Sequence, residues 1–542
     1  MRSPKFAVQT YFGCLLFLLA ASTENLAAQT PQNPGYTIQA NTRLVLTDVT
    51  VTDSHGSPVH GLKSSDFEIL DNHKEETIST FEEHATQPTA AFQTVSAAPG
   101  SYSNDFLQHL PPVLNIVVID IKNIEIEDQM YLSEKLTQLI NTLPAGQPLA
   151  IYWCRGANTV LLQNYTADHA LLLAAVHKAL PRFPPTGREF LNDLNTLQQI
   201  AFDLRQTPGR KNILWYTGGS TLTLRPDADG FQMQDSSDEE KARAIYDELE
   251  TERIAIYPID ARGLTVTGSG FGNTVQLAQH AQMQNVAYAT GGKAFYNSNG
   301  LDSIASSLLD NDGSFYTLTY SPHDFQQDNK WHKVEIRLAS GLAGGSKGHD
   351  SGYTLSYRRG YFADAFADRD NGSAGSNKVA SDSPRRLLGG GTVSEEDPDA
   401  RSSPIIFQVV VLPSAGLPPD KAKADVSVPF DPAKQKSGTT TYSIRYALPL
   451  DAFAIRSVSG RSQVKLGIAA MAFNQSGSTA NHAADEVEIF LKDNRTSVPA
   501  NTLVTVRQQI NLPRGDDSLY CAVWDRTNHR IGTIRVPLKV TK

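Results

Sequence analysis

The chain has 542 residues, 57 acidic side chains against 48 Lys and Arg, and a formal net charge of -9. Its length exceeds one hydrophobic core and predicts about three or four domains. The acidic balance excludes a nucleic-acid binder, which needs a basic face; otherwise it favours solubility and identifies no partner.

The first residues read as an export signal. Arg2 and Lys5 give a positive start, and Tyr11 to Ala21 is an apolar run too short to span comfortably. Leu26-Ala27-Ala28 precedes Gln29, so cleavage is expected after Ala28, with residues 1–28 as the signal peptide. Retention as an uncleaved anchor is a second reading. A lipoprotein is a third, although Tyr11-Phe12-Gly13-Cys14 is a poor lipobox. No later stretch is long and apolar enough to span. Cleavage leaves Cys154 and Cys521, far apart in the chain and expected to be separate buried thiols. No CxxC occurs, and the His55/His60 spacing lacks the cysteine pair of a zinc finger.

Residues 36–84 predict a small β module. Leu44 to Asp53 alternates apolar and polar, Ser54-His55-Gly56-Ser57-Pro58 is turn chemistry, and Asp66 to Asn72 is a further strand. Residues 85–110, rich in Ala, Ser, Thr and Gln, read as a linker. Residues 111–312 alternate strand and helix, which predicts a doubly wound, mostly parallel α/β sheet. Strands are expected at 114–120, 148–154, 159–163, 211–216, 254–259 and 293–296. Helices are expected at 126–142, 168–180, 188–205, 238–252, 273–289 and 300–310, with a surface loop from Pro226 to Ser237.

From 313 to 362 the period becomes two. These strands either extend the α/β core or complete a sandwich begun by residues 36–84, with the α/β domain inserted into it. Residues 363–403 read as a flexible linker, and seven short strands over 404–542 predict a C-terminal β-sandwich. The fold class is therefore multidomain: a doubly wound α/β core flanked by β-sandwich-like modules.

The most informative run is Leu114 to Ile124, an apolar strand that ends on Asp120. In open α/β sheets ligands sit at the carboxyl ends of the strands. A second strand ends on Asp260, followed by Arg262. These residues line the same sheet end, or Arg262 bridges carboxylates and fixes its loop.

Residues 44–362 resemble the acidobacterial VWFA-related domain family. The likeness rests on an ordered set: Val49-Thr50-Val51-Thr52-Asp53, Asp66-Phe67-Glu68, Asp120, Asn123, Asp128-Gln129 and Gly209-Arg210-Lys211. It continues with Ile256 to Gly263, Thr290-Gly291-Gly292, Tyr316 to Tyr320 and Tyr357 to Tyr361. The resemblance implies an exported bacterial protein with a von Willebrand A-like core, and it brings no established activity with it. It says little about residues 404–542.

Such a core implies a metal-dependent adhesion site, with hard oxygen ligands around an Mg²⁺-like ion. The pattern is Asp-x-Ser-x-Ser, a Thr on a second loop, and an Asp after a later strand. Asp120 matches the first ligand, but Lys122 and Ile124 replace the serines. Tyr216-Thr217-Gly218-Gly219 stands where Thr-Asp-Gly is expected, so the aspartate is missing. Thr186 aligns with the second-loop threonine. If an ion is held, its ligands are Asp120 with Asn123 and Thr186, or a rearranged set that adds Glu125, Glu127 and Asp128. Otherwise those acids complement the dipole of the next helix, and Lys122 pairs internally with Asp120.

Support for catalysis is thin. Gly344-Gly345-Ser346-Lys347-Gly348 lies between predicted strands, whereas a nucleophile elbow needs a strand-to-helix turn. Cys154 has no nearby His, and no phosphate loop occurs. Gly268 to Gly272 reads as a flexible loop before a helix. His55, His60, His73 and His84 read as solvated, and Tyr316, Tyr320, Tyr357 and Tyr361 as sheet-face or core residues.

The expected function is a non-enzymatic, exported binding or adhesion-type module with a degenerate metal site and a protein partner. It binds no nucleic acid, holds no cofactor and has no membrane span after signal cleavage. Its binding-surface candidates are Asp120, Lys122, Asn123, Asp260 and Arg262. Two alternatives stand beside this: an envelope-processing enzyme with an inter-domain site, and carbohydrate binding through the last sandwich.

Overall fold

The computed structural model describes residues 44–85, 100–155, 158–180, 190–205, 207–219, 236–264, 271–311, 313–323, 330–339, 352–363, 404–415, 425–430, 438–473, 479–491, 497–500, 502–525, 527 and 530–540. The expected signal peptide, Thr186, the loop at 226–235, the glycine-rich runs at 268–270 and 344–348 and most of the 363–403 linker lie outside these residues.

The α/β core has a five-stranded sheet in the order Ile254–Asp260, Arg210–Thr217, Val113–Asp120, Leu149–Arg155, Asn158–Thr166. The first four strands run parallel and the last closes an antiparallel hairpin. Every residue of Val113–Asp120, Arg210–Thr217 and Ile254–Asp260 is buried. That is why these strands read as continuous apolar runs: helices cover both faces of a parallel sheet. The helices are α1 (Ile126–Thr142), α2 (His169–Ala179), α3 (Phe190–Leu204), α4 (Ser236–Thr251), α5 (Phe271–Thr290) and α6 (Leu301–Asn311). One core packs α3 and α4 against Ile116, Val118, Ile213 and Ile256, and the other packs α1, α2 and α6 against Val117, Ile119, Ile151 and Leu214. The strand expected at 293–296 is reduced to one bridge, Phe295 to Ile259.

The two β segments flanking this core pair with each other. Val45–Thr52 lies between Phe315–Tyr320 and Thr354–Ser356, and Trp331–Leu338 lies between Phe67–Asp71 and Gly360–Phe362. Residues 36–84 and 313–362 are thus not separate modules, because the described parts of both share two sheets and one apolar cluster. Of the two arrangements open to the sequence, the structure has the α/β domain inserted into a sandwich. Tyr316, Tyr320, Tyr357 and Tyr361 are buried there. The hydroxyls of Tyr320 and Tyr361 donate to the buried Asp71 carboxylate at 3.0 and 2.7 Å, tying three strands together.

The linker expectation for 85–110 fails at its end. Ser101–Ser103 is a strand hydrogen-bonded to Gln408–Pro413, and Asp105–His109 is a 3-10 turn. The Asn104 amide explains the anchoring. It donates to Ile405 O at 3.0 Å, and its oxygen accepts from Phe407 N at 2.8 Å. The C-terminal residues form two mostly antiparallel sheets around a core that includes Ile444, Tyr446, Leu466, Ile468, Val506 and Val523. The longest strands are Thr439–Pro449, Arg461–Phe473, Thr479–Phe490, Leu503–Pro513, Gly515–Asp525 and Ile531–Val540. Cys154 and Cys521 are free and buried, and burial pushes each thiol up to about 12.

This sandwich docks on α3. Arg535 Nη1 donates to Asp203 Oδ2 at 2.9 Å, the Tyr520 hydroxyl donates to Asp203 Oδ1, and Phe202 packs beside Tyr520. The pair is nearly dry, with Asp203 4% and Arg535 15% exposed. Breaking a buried pair from one side leaves an uncompensated charge, so Asp203→Ala should lower stability by roughly 3–5 kcal/mol in urea unfolding. Arg535→Met together with Asp203→Leu should recover much of that loss.

Candidate functional site

Four parallel strands present their carboxyl ends at one edge of the core. Register places Asp120, Thr217 and Asp260 in one row, with Thr217 between the two aspartates. Both aspartates sit where the next residue leaves the sheet.

Asp120 is fully buried. Its Oδ2 accepts from Asn123 Nδ2 at 2.9 Å, Thr217 Oγ1 at 3.1 Å and Trp215 Nε1 at 3.2 Å. Its Oδ1 accepts no hydrogen bond and lies 3.9 Å from Lys122 Nζ. The Lys122 amine is 1% exposed and sits 2.7 Å from Asp193 Oδ1 and 3.1 Å from Thr196 Oγ1, both on α3. One cation therefore serves two buried carboxylates. Burial pushes Asp120 up to about 6, helped by the neighbouring Asp193 charge and resisted by Lys122. Burial also works against the Lys122 cation, but Asp120 and Asp193 outweigh it and hold the amine above its ordinary range.

The sequence placed Lys122 near the ion position but did not reveal Asp193, the closer partner. A signal was present. Asp193 and Thr196 fall on the same face of the helix as Leu197, Ile200 and Leu204, so two polar residues sit in its apolar stripe. Trp215 was hidden in a strand that read as plain core, and Thr217 was singled out only as part of the Tyr216 to Gly219 run.

Asn123 braces Asp120. Its amide nitrogen is spent on Asp120, and its buried Oδ1 accepts nothing. Glu125 caps α1 and Glu127 lies in its first turn, and both are exposed. Among the described residues no group of three or more His, Cys, Asp or Glu is placed to hold a metal ion.

Gly218 follows Thr217 at the end of the Arg210–Thr217 strand. A Cβ there would lie 1.9 Å from the Asn123 carbonyl oxygen. The backbone of this loop is packed directly onto the Asn123 turn, so any side chain there forces one backbone or the other to shift. Gly219 is likewise closed in by Gln279, whose amide carbon would be 2.7 Å from an added Cβ.

Asp260 has a different environment. Arg262 donates to it from Nε at 2.8 Å, Nη2 at 2.7 Å and the backbone N at 3.0 Å. His280 Nε2, on α5, lies 2.9 Å from Asp260 Oδ2. Arg262 Nη1 reaches Gln279 Oε1 at 2.9 Å. Burial raises the Asp260 carboxyl, but bonds from His280 and Arg262 overcome it and hold the group below its ordinary range. The His280 ring stacks on Tyr296, which is 38% exposed, and Leu264 beyond Arg262 is 60% exposed. Arg262 thus fixes its loop, as one of the two sequence readings held. Gln279, His280 and Tyr296 were not foreseen, because they converge only when α5 packs beside the Asp260 strand.

Two outcomes follow. Gly218→Ala should lower stability by roughly 1–3 kcal/mol by overpacking, read as a lower unfolding midpoint. The depressed Asp260 carboxyl contributes stability above its ordinary value of 3.8 that is lost as pH falls through and below it. Asp260→Asn should therefore be less stable than wild type at neutral pH, with the gap narrowing in acid.

No family model and no curated relative matches the chain. Three solved structures to which it is similar are a coat protein and two single domains. Against the human COPII-coat protein Sec24c it shows 10% identity and a TM-score of 0.24, over 48% of this chain and 46% of that one. The chain thus spans less than half the length of that protein. Against the vWF domain of the type V pili tip protein Mfa5 from Porphyromonas gingivalis it shows 11% identity and a TM-score of 0.24, over 36% of this chain and 95% of that one. Against the SpRpn10 VWA domain it shows 14% identity and a TM-score of 0.23, over 37% of this chain and 97% of that one.

Proposed function

We propose that this chain is an exported, non-enzymatic protein-binding module of the von Willebrand A-like type, which engages its partner without a metal ion. The observation that carries the reading is Lys122. Its amine nitrogen stands between Asp120 and Asp193, at the strand end where a divalent ion would need those oxygens. Gly218, with no room for a carboxylate, supports the same conclusion. Export is supported by the N-terminal sequence alone.

The binding surface runs over the Asp260 end of the row. Tyr296 and Leu264 are its exposed members and Arg262 its partly buried one, on an element pinned by Asp260, Gln279 and His280. Aromatic and Arg side chains on a rigid scaffold are the usual anchors of a protein interface. Among the described residues no helix is long and apolar enough to cross a membrane.

Calorimetric titration with Mg²⁺ and Ca²⁺ tests the metal-free reading. Wild-type protein should give no binding heat. Lys122→Ser, which empties the position and restores a hydroxyl, should bind a divalent ion weakly. Stoichiometric Mg²⁺ or Ca²⁺ binding by wild type that disappears in Asp120→Ala would overturn the proposal. Partners captured by crosslinking should survive chelator and be lost on Arg262→Ala with Tyr296→Ala; loss in chelator alone would point back to a bound ion.

A further inference from the structure

The buried trio at the end of the Asp120 strand has the arrangement of a condensation site. A primary amine, a carboxyl group to receive it and a second carboxyl to carry protons are enclosed together. Lys122, Asp120 and Asp193 have side chains 1%, 0% and 2% exposed. Lys122 Nζ is 2.7 Å from Asp193 Oδ1, and the Asp193 carboxyl carbon is one C–O bond from that oxygen. Asp120 Oδ1 faces the amine from 3.9 Å and accepts no hydrogen bond. The remaining oxygen of Asp120 is fixed by Asn123, Trp215 and Thr217, so the carboxylate cannot turn away.

We propose that Lys122 and Asp193 join as an intramolecular isopeptide bond, with Asp120 as the proton relay. One proton of the Lys122 ammonium first passes along its 2.7 Å contact to Asp193, which gives a neutral amine and a carboxylic acid. The amine lone pair attacks the Asp193 carboxyl carbon, a C–N bond forms, and Asp120 takes the second proton from that nitrogen. Asp120 returns this proton to the Asp193 hydroxyl as its C–O bond breaks, water leaves, and Asp120 ends as it began. An ammonium and a carboxylate become an amide and a water, so charge balances and no oxidant, reductant or co-reactant enters.

Physical chemistry favours the step at this place. Holding two reactants in contact gives effective concentrations on the order of 10⁵–10⁸ M, which offsets the tendency of water to hydrolyse amides. Burial excludes that water. Condensation also removes a buried ion pair, whose desolvation is costly even when well paired. The bond would brace the Asp120 strand end against α3 in a chain whose described cysteines are both free.

Peptide mapping by mass spectrometry on the purified full chain decides this. The expected result is a branched tryptic peptide joining the Lys122 and Asp193 segments, lighter than the two linear peptides combined by one water. Lys122→Met and Asp193→Ala should each abolish it. Asp120→Asn keeps both reacting groups and should lose the branched peptide or form it far more slowly. Linear peptides containing Lys122 and Asp193 from folded wild-type protein would overturn the proposal, even if a water were lost elsewhere in the chain. A branched peptide that forms as fast in Asp120→Asn would overturn the relay role. The wild-type map stands alone if a variant fails to fold, and it does not depend on metal binding or on a partner.

Discussion

Three ionisable side chains enclosed at the end of one strand set the terms for the rest of this core. Removing an ammonium and two carboxylates from water is costly, and each group is tolerable only because the others are held in place. Asp120 is fixed by its position at the strand end and by Asn123, Thr217 and Trp215. Asp193 and Thr196 are fixed by α3, whose apolar face is locked into the core. The strand end, the following turn and α3 therefore form one structural unit. A divalent ion in the same place would need the amine to leave and both carboxylates to turn toward it.

Thr217 connects this unit to the second carboxylate. Its hydroxyl donates toward Asp120, and its strand position pairs with Asp260. Each aspartate in the row has its own cation from two residues further along the chain, Lys122 and Arg262. The resemblance ends there. Lys122 is sealed in, whereas Arg262 is 16% exposed beside the exposed Tyr296 and Leu264. One half of the row is thus a sealed structural centre and the other half borders solvent. That division is why the proposed binding surface lies at Asp260 and Arg262 rather than at Asp120.

The architecture around the core adds rigidity. The chain leaves the first sandwich, contributes a strand to the C-terminal sheet, builds the α/β domain and then returns to finish the sandwich. The C-terminal sheets are also held to α3 by Asp203, Tyr520 and Arg535. The helix that supplies Asp193 and Thr196 at the strand end is therefore the helix that carries the C-terminal sandwich.

The sequence by itself determined the local elements. Period and turn chemistry located all six helices of the core within about two residues at either end, together with the strands ending on Asp120 and Asp260. These properties are legible because they depend on neighbours in the chain.

The tertiary structure alone decided which distant residues meet. Whether residues 313–362 extended the core or completed a sandwich depended on pairing between segments more than 200 residues apart, such as Val45 with Tyr320. Ser101–Ser103 looked like linker because its strand partners lie beyond residue 400. The Trp215 indole and the His280 ring carry no local mark of their role, and Asp193 is marked only as a polar residue in the apolar stripe of its helix. A buried charge is defined by what surrounds it, and those surroundings exist only after the helices have packed on the sheet.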